Sequence, residues 1–114
     1  MLNRYNQIEN KFGIKQKHRA GKDELVSDMA IKACQKILEN FNPMDVDLVV
    51  YCGSEHKDYY LMNMAAKIQY VIGAKNANSF EIHSLYSAGV ISLQILKNIM
   101  LSNSDINNVL LVSS

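Results

Sequence analysis

With 114 residues, 48% hydrophobic and 20% charged, the chain suits one modest domain with a single core and lies far from disordered compositions. Twelve Lys and Arg against eleven Asp and Glu leave a formal charge of +1, and no basic stripe with interleaved aromatics occurs, which argues against nucleic-acid binding. The N-terminus MLNRYNQIENK is polar throughout, so no signal peptide is expected, and no membrane span is expected because no apolar run approaches the roughly 20 residues a bilayer requires.

The stretch FGIKQKHRAGKDE that follows reads as a basic loop or brief strand. Asp23 is then placed to cap a helix running to about Phe41. Val26, Met29, Ala30, Ala33, Ile37 and Phe41 recur at the three-and-four spacing of one buried face. Pro43 marks its stop. VDLVVYC, residues 46–52, is a β-branched run without polar alternation past Asp47, the pattern of a strand covered on both faces of a parallel sheet. GSEHKD is a loop, and a second helix is expected from about Tyr59 to Ile72, ended by Gly73 as a left-handed cap.

SFEIHS, residues 79–84, is the second strand. The third helix, about Tyr86 to Leu101, carries Val90, Ile91, Leu93, Ile95, Leu96, Ile99 and Met100 around most of its circumference, which predicts burial between layers or subunits. NNVLLVSS is the third strand. The order α–β–α–β–α–β implies an α/β layered fold with a mainly parallel sheet and right-handed crossovers, in a single domain over 1–114. The chain stops at Ser114 directly after a strand, where such folds usually place a functional loop, so truncation is expected.

Cys34 and Cys52 fall in a predicted helix and a predicted strand, outside any cysteine-rich framework. They are expected to be reduced and buried in a cytoplasmic protein. His18, His56 and His83 are widely spaced and no CxxC pair occurs, so no metal site is expected.

The segments FGIKQKHRA…DELVSDMAIKA, DVDLVVYCGSEHKDY, AAKIQYVIGAKNANSFEI, SAGVISLQI and NVLLVSS together resemble the first part of the β-ketoacyl-acyl-carrier-protein synthase III family of thiolase-like condensing enzymes. The resemblance covers nearly the whole chain in order. It implies a partial thiolase-like N-terminal half with a mixed five-stranded sheet, and a buried helix bearing the nucleophilic cysteine at its start. Family substrates are acyl-coenzyme A and malonyl-acyl carrier protein, and no further cofactor is implied.

Three departures follow from the resemblance. A glycine-containing first strand, taken as central in the family's sheet, would precede this chain. The C-terminal half that supplies the catalytic His and Asn would be absent. The position matching the nucleophilic cysteine is Tyr86, read from FEIHSLYSAGV. A cysteine at a helix N-terminus is pushed toward the attacking thiolate. A phenol, with a reference pKa of about 10, supplies little phenolate near neutrality. The chain by itself is therefore expected not to catalyse condensation.

Alternatives stay open at each candidate residue. Tyr86 is either a degenerate nucleophile position whose ring plugs an acyl pocket, or a buried aromatic at a strand–helix junction. Lys11 matches an arginine that helps hold coenzyme A in relatives, though a lysine lacks the planar bidentate fork, and a solvated surface lysine is the plainer reading. Lys15, Lys17, His18, Arg19 and Lys22 could attract coenzyme A phosphates or an acidic carrier protein, or simply be solvated. His83 could reach Tyr86 or satisfy backbone groups locally, and Cys52 reads as a structural thiol. Met62, Met64, Ala65 and Ala66 read as packing.

Two functions are compatible with these residues. One is a fragment or remnant of a 3-oxoacyl-acyl-carrier-protein synthase III-like acyltransferase, inactive alone. It would form a homodimer, or pair with a catalytic partner, through the 79–84 strand and 86–101 helix. The other is a non-catalytic subunit that binds acyl carrier protein or serves as a scaffold. A cloned piece of a longer active enzyme would differ from the first only in having a cysteine natively at position 86.

Overall fold

Helices and strands alternate in the order the periodicity predicts. The computed structural model describes residues 10–16, 18–53 and 58–114. Helix α1 spans Val26–Ile37, strand β1 Leu48–Gly53, helix α2 Met64–Ile72, strand β2 Asn78–His83, helix α3 Ala88–Ser102 and strand β3 Val109–Val112. Short 3-10 turns at Leu38–Asn40 and Pro43–Asp45 carry the chain from α1 to β1, and a third at Leu85–Ser87 precedes α3.

Local hydrogen bonding decides where the helices begin. Asp23 does not cap α1, because Glu24 folds back and its carboxylate accepts from the Gly21 N–H at 3.0 Å. Leu25 occupies the cap position, and its N–H donates to Asp28 at 3.0 Å. The regular helix ends at Ile37, short of Phe41. Helix α2 starts at Met64 rather than Tyr59, since the Asn63 side chain accepts from the Ala66 N–H at 3.0 Å and caps it. It ends as expected at Gly73, which sits at φ 77 and closes onto the last carbonyls.

The sheet is parallel throughout, in the order β2–β1–β3. Leu48–Gly53 pairs with Asn78–His83, and Leu48–Tyr51 pairs with Val109–Val112. All six residues of β1 are buried, which is why this strand is an unbroken apolar run. Val49 and Tyr51 point into a core with Ala30, Cys34, Ile68 and Leu110, on the side of α1 and α2. Leu48 and Val50 point the other way, into a core with Leu96, Phe80, Ile82 and Ile99 under α3. The crossover from β1 to β2 runs one way across the sheet, and that from β2 to β3 returns past β1. Crossovers of one hand running in opposite directions must lie on opposite faces. That is the observed arrangement, an α/β/α sandwich.

Among the described strands β1 is the middle one, hydrogen-bonded on both sides. Residues 1–9, next to which the family's first strand was placed, lie outside the described residues, as do Lys17 and His56. The mixed five-stranded sheet is represented among the described residues by three parallel strands.

Within this single chain the burial of α3 is one-sided. Ala88, Ser92 and Leu96 are its buried residues, whereas Val90, Leu93 and Leu101 are 75, 63 and 76% exposed. The sheet covers one face, and no described element covers the opposite one. The stretch Leu85–Ser102 also contains 18 residues, long and apolar enough by length and composition alone to cross a membrane, contrary to the expectation from the sequence. Here it lies on the sheet.

Candidate functional site

The loop after β1 leads to α2 on one face of the sheet, and the loop after β2 leads to α3 on the other. Adjacent parallel strands whose outgoing loops diverge in this way open a crevice at their carboxyl ends, where α/β proteins bind ligands. The backbone therefore places Gly53, His83 and the Leu85–Ser87 turn at the candidate site. Ser54–Lys57 lie outside the described residues.

The turn itself is tightly held. The Ser87 hydroxyl donates to the Ser84 carbonyl at 2.9 Å, and the Ser87 N–H donates to the same oxygen at 3.1 Å. The two serine hydroxyls lie 2.9 Å apart. Between them Leu85 adopts φ 44, a left-handed conformation that L-residues other than Asn and Asp rarely enter. Turning the chain there directs Tyr86 outward, and its side chain is fully exposed. Within the chain it neither plugs a pocket nor packs at the junction. It also precedes α3, whose regular turns start at Ala88, so the phenol does not occupy the first turn.

His83 pairs with Glu81, not Tyr86, with Nε2 and Oε2 2.9 Å apart. Glu81 also accepts from the N–H of Met64, the first residue of α2, which seats a carboxylate at the positive end of that helix. The dyad is thus an oriented acid–base pair beside the crevice. Glu81, two positions before His83 on the same strand, was the signal in the sequence, and the pairing was missed.

Lys11 is exposed, with its ammonium 5.6 Å from the centroid of the neighbouring Phe12 ring, a local contact within its own segment. Lys15, His18, Arg19 and Lys22 are likewise exposed. Cys52 is buried and free, and no described acid–base partner bonds to it. Cys34 is also free, and burial pushes its thiol up to about 11, the opposite of what a nucleophile needs.

A polar cluster that the sequence did not disclose sits at the start of α1. The fully buried Asp58 carboxylate accepts from the Ser27 N–H at 3.1 Å, from the Ser27 hydroxyl, and from Lys67 Nζ at 2.8 Å. Lys67 also donates to the Ser27 hydroxyl. A serine beside a lysine suggests nucleophilic chemistry, but the lysine is engaged by Asp58 and the serine has no exposed surface. The cluster ties α1, the loop after β1 and α2 together. Ser27 and Asp58 lie 31 positions apart, beyond the reach of any local periodicity.

Comparison with known proteins bears on what this geometry belongs to. No family model matches the chain. A β-ketoacyl-[acyl-carrier-protein] synthase III of Rickettsia canadensis (strain McKiel) is 29% identical over 109 residues, covering 94% of this chain and 34% of the relative. The same enzyme of Rickettsia typhi (strain ATCC VR-144 / Wilmington) is 29% identical over 97 residues. A solved 3-oxoacyl-(acyl-carrier-protein) synthase III superposes with a TM-score of 0.81 at 25% identity, over 95% of this chain and 32% of that one. The chain matches the N-terminal part of the β-ketoacyl-acyl-carrier-protein synthase III family.

It spans about a third of the length of the curated relatives it matches. The corresponding synthase of Aquifex aeolicus VF5, with a TM-score of 0.80 at 23% identity, adds support for the fold alone. The thiolase-like α/β architecture expected from the sequence is thereby established.

Proposed function

We propose that this synthase III-like chain belongs to fatty-acid or related acyl metabolism in the cytoplasm and does not catalyse thioester condensation by itself. One observation carries the reading. The position that the family resemblance assigns to the nucleophilic cysteine is Tyr86, a phenol on an exposed 3-10 turn outside the first turn of α3. There it receives neither the helix N-terminus nor a neighbouring base, since His83 is engaged with Glu81. The chain is proposed to act through association, as a homodimer or with a catalytic partner. Strand β2, at the edge of the sheet among the described residues, and the exposed side of α3 supply the surfaces.

The test uses the purified chain with acyl-coenzyme A and malonyl-acyl carrier protein, read by intact mass and product formation, with light scattering for size. The expected outcome is no acyl adduct, no condensation product, and a defined dimer. Turnover by the unmodified chain would overturn the reading of Tyr86, and a monodisperse monomer in the absence of any partner would overturn self-association.

A second reading, binding of acyl carrier protein without chemistry, draws on the exposed residues Lys15, His18, Arg19 and Lys22. Salt-sensitive binding of carrier protein, weakened by Arg19→Glu and Lys22→Glu, would favour it. Binding that ignores both changes would eliminate it.

A further inference from the structure

We draw no further inference here: the strongest candidate, the outward face of α3 with Val90, Leu93 and Leu101 exposed beside the open edges of the sheet, carries none because nothing in the structure shows what covers it.

Discussion

Replacing Asp58 by alanine tests what joins the two helices on one face of the sheet. The carboxylate is fully buried and accepts from the Ser27 N–H at the start of α1 as well as from Lys67 at 2.8 Å on α2. Losing the bond to a first-turn N–H costs about 1 kcal/mol, as for other helix caps. Losing the charge-assisted bond costs about 1.5–3 kcal/mol. The Lys67 side chain is 30% exposed, so its ammonium can turn to water, and the penalty stays below the ~3–5 kcal/mol typical of a fully enclosed charge. Asp58→Ala should therefore lose about 3 kcal/mol in urea denaturation, and about 10–20 °C in Tm for a domain of this size. Asp58→Asn keeps an oxygen for the Ser27 N–H and should lose roughly half as much. A loss below ~1 kcal/mol, or equal losses for Ala and Asn, would refute this account of the cluster.

The same carboxylate makes a prediction in pH. Burial works to raise its pKa, but the bonds from Lys67 and from the Ser27 hydroxyl and N–H outweigh it, and the net shift is downward from 3.8. The folded protein then stays ionised where the unfolded chain has begun to take up a proton. Its contribution is present above about pH 3.8 and is lost as pH falls through the lower folded value. Asp47 behaves likewise, lowered by the N–H groups of Asn108 and Asn107. Acid titration of stability should be shallower in Asp58→Ala than in the wild type, yet not flat, because Asp47 remains.

The buried Ser92 hydroxyl has no hydrogen-bond partner among the described residues, so Ser92→Ala should raise stability by about 1 kcal/mol in the same denaturation assay, and a loss would reveal a partner. At Gly53 an added Cβ would fall 2.5 Å from the Tyr51 hydroxyl, whose ring is buried and tied to the Ser114 carbonyl at 3.2 Å. Gly53→Ala should cost about 2 kcal/mol through overpacking, and Tyr51→Leu in the same chain should recover part of it, a coupling that a double-mutant cycle measures. Cys34, buried with its thiol raised to about 11, should resist alkylation by iodoacetamide at pH 8 until urea unfolds the chain, and prompt native labelling would contradict its burial.

Backbone architecture was readable because each element announced itself locally. The β-branched run LVVYC suits a strand covered on both faces, and Gly73 marked a helix end that needs positive φ. Helix starts were harder. Asp23 and Asn63 are both competent caps, and the choice between candidate starts depends on where Glu24 folds back and where Asn63 meets the Ala66 N–H. The site was less legible still. The β2–α3 junction was readable from the strand and helix patterns and the family position of its tyrosine from resemblance, but the outward aim of Tyr86 follows from Leu85 at φ 44, which no residue type in SLYS signals. The Ser27–Asp58–Lys67 cluster joins residues 31 and 40 positions apart, so only the tertiary fold assembles it.

Helix α3 combines these levels. Its apolar circumference read as a helix enclosed on all sides, yet its outward surface is mixed rather than uniformly apolar. At 100° per residue, Gln94, Lys97 and Asn98 share the exposed side with Val90, Leu93 and Leu101. A bilayer would have to accommodate the Lys97 ammonium and the Asn98 amide near the C-terminal half of the span, at a cost of about 2.5–3.5 kcal/mol for the charge if central. A protein surface accommodates the same mixture without penalty, by packing the aliphatic residues and leaving the polar tips at a wet rim. The outward side of α3 is therefore an aliphatic and polar mixture, carried by a helix that lies on the sheet in a fold that superposes on a synthase III at a TM-score of 0.81.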